Sequence, residues 1–391
     1  MAFTISFLST PAVLLGLVAF IGLVSQKKKG TEVMTGTFKT IIGFMIFSSG
    51  GSIMTGTLQN FNTMFQKGFH IVGVVASPEA ATALAQSQFA FVTSCTLILG
   101  FVMNLVFARI TPFKNIFFTT GHSLFFACVL SLILKAHKIA DIPAIIIGGL
   151  ILGFVSAALP QLCQPFMREI TGGDAQAIGH FNMVGYALSG YIGKIFKKHK
   201  DKTTEHINFP GWLSVFRDFL MGVAIVMLIL FYVSALKAGP VEVKKLAGST
   251  HWLVFPLIQA FTFTAGMSIL MTGVRMFLSE ITSAFVAVSE KFIPNSRPAL
   301  DVPTVFPYAP TAVIVGFISS YTAGVFGNST GGWRGAVAGS FVVGLLLAFL
   351  PVLLYPVYGS LGIQGSTFPN IDYNVIGNLL NGILNIFHIG G

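Results

Sequence analysis

Ile116–Leu134 reads IFFTTGHSLFFACVLSLIL, an apolar run of membrane length interrupted near its start by Thr119-Thr120-Gly121-His122. Hydrocarbon offers no water to freed backbone groups, so a break in such a run is tolerated only against protein or beside a polar opening. A second break, Ile178-Gly179-His180-Phe181-Asn182, follows further along the chain. An ionisable residue at membrane depth is a functional candidate by default. The two Gly-His breaks therefore read as opposite walls of a substrate site near mid-membrane. Helix-packing glycines beside buried neutral histidines fit the same residues, and the sequence leaves both readings open.

Composition sets the class. Of 391 residues, 54% are hydrophobic and only 9% charged, with 42 Gly and 39 Phe; soluble domains carry about 25% charged residues. An all-α polytopic membrane protein is expected. The net charge of +10 does not mark a nucleic-acid binder. The basic residues sit in short loops between apolar runs, where they set orientation and meet anionic lipid heads. Cys95, Cys128 and Cys163 have no metal or redox spacing and read as small core residues. No basic residue precedes the first apolar run and Lys27-Lys28-Lys29 follows it, so the run reads as a retained span with cytoplasmic lysines, not a cleaved signal.

Spans are expected at about Thr10–Val24, Thr40–Leu58, Phe89–Phe107, the Gly-His run, Ile142–Leu159, Phe219–Leu236, Trp252–Met276, Val305–Phe317 and Arg334–Leu354, with a short closing helix over Val375–Phe387. Ser48-Ser49-Gly50-Gly51 is expected to weaken the second span at its middle. Gln59–Ala90, which holds Pro78 and Glu79, alternates polar and apolar residues and reads as interfacial or re-entrant helix. Lys194–His206 (KIFKKHKDKTTEH) is the most polar stretch; it reads as a solvated cytoplasmic loop, with a docking surface for a soluble partner as the other reading.

That loop also divides the chain into residues 1–206, which hold both Gly-His breaks, and 207–391, a second half. Three ordered local matches suggest duplication, a common ground plan of transporters. Met54-Thr55-Gly56 matches Met271-Thr272-Gly273, and Leu97–Phe101 (LILGF) matches Val313–Phe317 (VIVGF). Gly148–Pro160 (GGLILGFVSAALP) matches Gly339–Pro351 (GSFVVGLLLAFLP). The spacing between the last two matches is shorter in the second half by about one membrane crossing. The second half therefore reads as a shortened copy.

Several stretches carry a family resemblance: Gly36–Leu58 (GTFKTIIGFMIFSSGGSIMTGTL), Thr120-Gly121-His122, Thr171–His180 (TGGDAQAIGH), Pro210-Gly211-Trp212, Gly273–Phe285 (GVRMFLSEITSAF) and Gly331-Gly332-Trp333-Arg334. In this order they resemble the membrane subunit, enzyme IIC, of the ascorbate branch of the phosphoenolpyruvate-dependent sugar phosphotransferase system. The resemblance implies a homodimer in the bacterial cytoplasmic membrane, each protomer with a V-motif-like scaffold and a mobile core of broken helices. It implies a permease for ascorbate or a related sugar acid. A separate IIB protein, charged through IIA, phosphorylates the arriving substrate from a phosphocysteine, and no cofactor is implied.

Carried onto this chain, the family's binding positions are His122, Ser123 and the segment through Phe126, His180 with Phe181, Asp301 in Ala299-Leu300-Asp301-Val302-Pro303, and Pro78 with Glu79. Well-known members have glutamines at the positions of Phe126 and Phe181, and a Thr-Tyr pair at Pro78-Glu79. They also have one further hydrophobic segment between Gly316 and Ile318.

The chemistry asked of such a site is plain. Helix N-termini at the breaks offer N–H groups and partial positive charge to an anion. His122 and His180 donate or accept according to tautomer, and Asp301 accepts from sugar hydroxyls, or else serves as a helix-start acid pairing with Arg297. Glu79 reads better as a solvated interfacial residue. The chain carries no phosphate loop, metal-spaced motif or phosphorylatable domain, so a phosphoryl donor has to be another polypeptide. Two other classes fit the same residues: a secondary transporter with Glu79 or Asp301 carrying protons, and a non-transporting paralogue that only binds.

Overall fold

The computed structural model of the protein describes residues 11–70, 75–76, 78–206, 218–316, 321–363 and 366–387. In chain order these form α1 (Pro11–Ser25), α2 (Gly30–Phe69), β1 (Val75–Ala76), α3 (Pro78–Ile110), β2 (Asn115–Phe117), α4 (Thr120–Ala136), α5 (Asp141–Ala158), α6 (Pro160–Thr171), β3 (Ala177–Ile178) and α7 (Met183–Ile195). Then follow α8 (Phe219–Ala247), α9 (Phe255–Phe292), β4 (Arg297–Leu300), α10 (Pro310–Gly316), α11 (Tyr321–Phe349), α12 (Tyr355–Ser360), β5 (Ser366–Thr367) and α13 (Ile371–Ile386). Among the described residues, six helical stretches are long and apolar enough to cross a membrane. Large apolar side chains such as Phe38, Met45, Ile229, Phe261 and Phe341 remain exposed on them, as lipid contact requires. The protein is an all-α multi-pass membrane protein, and its strands are only two to four residues long.

The chain forms two compact units, each assembled from separated segments. The first comprises residues 1–88, 218–281 and 362–367. Its α2 is one unbroken helix of 40 residues. The expected weak point at Ser48–Gly51 stays helical, and residues 59–69, expected to be interfacial, continue the same helix. The glycines serve packing. A Cβ on Gly50 would strike the backbone of Leu270 and Gly266, and one on Gly273 the backbone of Phe47 and Gly43. Gly43 thus faces Gly273 while Gly50 faces Gly266, so α2 and α9 run antiparallel at backbone contact, the close approach that small residues permit in membranes. Phe44, Phe47 and Phe277 fill the seam with ring centroids 5.4–6.0 Å apart. Asn60 Nδ2 donates to Gln259 Oε1 (2.9 Å), and α8 adds Phe231 against Phe61.

The second unit comprises residues 89–217, 282–361 and 368–391. Phe89, with non-helical φ −130° and ψ 29°, interrupts α3 where this unit begins. α7 and α11 are the most intimate pair. Ser189 Oγ donates to Ala323 O (2.6 Å) and Thr330 Oγ1 to Gly190 O (2.8 Å). Gly332 breaks α11 with φ +61°, a region open mainly to glycine. The carbonyls of His199 and Lys202 occupy the place a Cβ would take, and Trp333 N donates to Lys202 O. The Lys-rich segment is therefore not simply solvated. Thr204 N donates to Asn328 Oδ1, and the Glu205 carboxylate accepts from Thr311 N (2.9 Å) and Thr311 Oγ1 (2.8 Å). Lys197, Lys198, Lys200 and Lys202 nonetheless stay exposed.

One expected span is absent and one helical segment is unexpected. Val305–Phe317 yields only short turns and the seven-residue α10. Pro303, Pro307 and Pro310 remove backbone donors at close intervals, which prevents a long helix. Conversely, Tyr321–Gly331, not expected as a helix, forms the first part of α11. Phe317 to Ser320, which include the junction at Ile318, and Pro210-Gly211-Trp212 lie outside the described residues.

The seam between α2 and α9 yields a paired test. Gly273→Ala should lower the thermal unfolding temperature in lipid or detergent, with overpacking costing about 1–3 kcal/mol. Gly56→Ala, where a Cβ meets no atom within 4 Å, should leave it unchanged or raise it, since Ala is favoured over Gly in a helix by about 1 kcal/mol.

Candidate functional site

Three extended segments of the second unit pair in parallel, in the order β2-β4-β3. Asn115, Ile116 and Phe117 lie opposite Arg297, Pro298 and Ala299, while Ala177 and Ile178 lie opposite Ala299 and Leu300. The ladder continues through Phe118 N→Ala299 O (3.0 Å) and Gly179 N→Leu300 O (2.7 Å). These bonds pair backbone groups of the extended segments that lead into both breaks. At Gly179 a Cβ would fall against the Ala299 carbonyl, so the second break needs its glycine. The outer edge of β2 is covered from α3, where Asn104 donates to Asn115 O (3.2 Å) and accepts from Phe117 N (3.0 Å). Asn115 in turn donates to Ala157 O.

Each strand leads directly into a functional candidate. His122 lies in the first turn of α4 after β2, His180 between β3 and α7, and Asp301 just after β4. The three meet. His180 Nδ1 lies 3.1 Å from Asp301 Oδ1, His122 Nε2 lies 3.9 Å from the same oxygen, and the imidazole centroids are 3.8 Å apart. Val302 N also donates to Asp301 Oδ1 (2.7 Å). The Asp301 side chain keeps 45% exposure against 16% for His122 and 13% for His180, so the cluster opens at the carboxylate. Its ligand atoms lie within 4.8 Å of one another, a spacing that could also hold a divalent cation.

Asp301 does not pair with Arg297. The Arg297 guanidinium binds Asp174 Oδ1 (3.0 Å) and Gln161 Oε1 (2.8 Å). Asp174 is shared with Arg168 and Gln164. Hydrogen bonding to Arg168, helped by Gln164 and Arg297 and opposed by desolvation, holds its carboxyl down at about 2.

Phe126 and Phe181 are fully buried. With Phe117 and Tyr373 they form an aromatic cluster, with centroids 4.8 Å apart for Phe117–Phe181 and Phe126–Phe181, and 5.3 Å for Phe126–Tyr373. Ser123 is buried, and neither its hydroxyl nor that of Thr119 meets a partner among the described residues. Pro78 begins α3 in the first unit, and the side chain of Glu79 lies outside the described residues.

The start of α13 contributes residues that the sequence reading missed. Asp372 is fully buried and its two oxygens accept from Met183 N (2.8 Å) and Val184 N (3.0 Å), capping α7. Reciprocally, Asn182 Oδ1 accepts from Ile371 N (2.6 Å), and Phe181 O from Asp372 N. The N-termini of α7 and α13 thus cap one another. The expectation that both breaks present helix N–H groups to a ligand is modified accordingly. Asp372 takes those of α7, whereas α4 carries no side-chain cap.

A family model described as the sugar-specific permease component of the PTS system matches residues 6–325 and 319–372. The chain is also 24% identical over 426 residues to a curated protein of Mycoplasma pneumoniae, described as an ascorbate-specific PTS system EIIC component. That alignment covers 87% of this chain and 64% of the relative's length.

Asp372→Ala should lower thermal stability by about 2–3 kcal/mol, the loss expected when buried donors lose a charged acceptor, and Asp372→Asn by less; thermal unfolding of the purified variants checks both. The sign for Asp174 follows from its lowered carboxyl. Its contribution to stability is present above the unfolded carboxylate value of about 4 and is lost as pH falls toward the folded value. The stability difference between wild type and Asp174→Asn should therefore shrink as unfolding is measured at successively lower pH across that interval.

Proposed function

The chain belongs to the family of sugar-specific permease components of the phosphotransferase system, and from that premise we propose that it carries ascorbate or a related sugar acid across a bacterial cytoplasmic membrane. The observation that carries this reading is the meeting of His122, His180 and Asp301 where two membrane-depth helices are interrupted. Interruptions braced by a strand ladder leave polar side chains, and the uncapped first turn of α4, to receive a solute.

In the proposed site Asp301 accepts hydroxyl hydrogens of the substrate, and bonds to a charged acceptor exceed neutral ones in strength. The first turn of α4, without a side-chain cap, supplies N–H groups and partial positive charge for an anionic ring oxygen. The buried Thr119 and Ser123 hydroxyls lie in the same turn and add polar capacity. Phe126 and Phe181 close one side with aromatic surface, so hydroxyl recognition rests on fewer groups than in members with glutamines there. Phosphorylation is assigned to a separate IIB protein, charged through IIA and docking on the exposed lysines of the Lys194–His206 segment. A homodimer is the proposed assembly, and Pro78 with Glu79 are proposed as further substrate-binding residues. The halves 1–206 and 207–391 are proposed as duplicated copies, the second shortened near Gly316. The two pieces of the family match overlap at residues 319–325, beside that junction.

Membrane vesicles supplied inside with the phosphocarrier proteins and phosphoenolpyruvate should accumulate phosphorylated ascorbate. Asp301→Ala or His180→Ala should cut that rate by about 10- to 100-fold, the loss of one charge-assisted bond to the ligand. Uptake of unmodified ascorbate without a phosphoryl donor, abolished by an uncoupler, would identify a proton-coupled carrier instead. Ascorbate binding without any flux would identify a non-transporting paralogue.

A further inference from the structure

The fully buried Tyr373, on the first turn of α13, touches His122 twice. Its hydroxyl lies 2.8 Å from the His122 carbonyl oxygen and 3.2 Å from His122 Nδ1. A phenol has one hydrogen to give, and a carbonyl oxygen can only accept. Were that hydrogen directed at Nδ1, two oxygens would face each other at 2.8 Å with nothing between them. The hydrogen therefore goes to the carbonyl, and the contact at 3.2 Å is satisfied only when Nδ1 carries a proton and donates to the phenol oxygen. A neutral imidazole protonated at Nδ1 is bare at Nε2.

We propose that Tyr373 is a positioning residue of the substrate site, holding His122 in the Nδ1–H tautomer so that its Nε2 faces Asp301 as a hydrogen-bond acceptor. The 3.9 Å between Nε2 and Asp301 Oδ1 agrees with this, since two acceptors cannot bond each other and stand apart until a donor comes between them. His180 presents the same polarity, because its Nδ1 lies in hydrogen-bond reach of the Asp301 carboxylate (3.1 Å) and donates to it. The three side chains then recognise a ligand by its hydroxyl hydrogens, which suits a polyhydroxylated ring or enediol and not a ligand lacking such hydrogens. The position of Tyr373 is itself fixed by its neighbour Asp372, locked onto the start of α7, and by its ring packing against Phe126 and Phe181.

This inference rests on the reading of the cluster as a substrate site, but its central claim is tested without substrate. In full-length protein reconstituted in lipid with ring-nitrogen-labelled histidine, the His122 signal, assigned by its loss in His122→Asn, should show a protonated Nδ1 and a bare Nε2. Tyr373→Phe keeps the ring packing and should introduce the opposite tautomer. It should also raise the KM for ascorbate about five- to tenfold, as for one weakened hydrogen bond, with the maximal rate changed less. A wild-type His122 protonated at Nε2, or a Tyr373→Phe protein that retains the single Nδ1–H form, overturns the proposal. Failure of wild-type protein to bind ascorbate, with the tautomer and its response as expected, would instead remove ascorbate as the ligand and leave the role of Tyr373 standing.

Discussion

Parallel pairing of three short extended segments is what allows this chain to abandon the helix at membrane depth. Each break frees N–H and C=O groups that hydrocarbon cannot satisfy, and β4 takes up those of β2 on one side and β3 on the other. The outer edge of β2 is covered by a side-chain amide, Asn104, acting as a substitute strand. Because the three strands run the same way, all end at one side, and each delivers its polar residue there. The convergence of His122, His180 and Asp301 is a geometric consequence of the ladder.

The surroundings of that cluster are divided. On one side Phe117, Phe126, Phe181 and Tyr373 make a dry aromatic wall; on the other, Asp301 remains accessible. A low-dielectric wall strengthens the electrostatic interactions made beside it. Few polar groups can therefore suffice for recognition, provided that each is held in one protonation state and one orientation. The hydrogen bonds around His122, His180 and Asp301 serve that purpose.

Much of this could be read from the sequence because glycine, histidine and a membrane-length apolar run are strong local signals. The two breaks are legible for that reason, whereas Asp301 enters only through the family resemblance. The strands were not, since two to four residues are too few to show a period of two. The other reading of Asp301 is a helix-start acid pairing with Arg297, four residues before it. In an extended strand the same four residues span about 13 Å, and the arginine turns instead to Asp174. Gly50 was read as a weak point because glycine disfavours helix in isolation; backbone contact with Gly266 and Leu270 reverses that inference. Asp372 and Tyr373 escaped notice because nothing local marks a helix that caps another 189 residues away.

The reciprocal cap between α7 and α13 has a consequence for how the protein is made. Helices enter the bilayer in the order of synthesis, so α4 and α7 are in place long before α13, whose Tyr373 lies 251 residues after His122. Until it arrives, the amides of Met183 and Val184 and one face of His122 await partners in a medium that supplies none. Biogenesis thus passes through a stage in which the future site is the least satisfied part of the nascent protein.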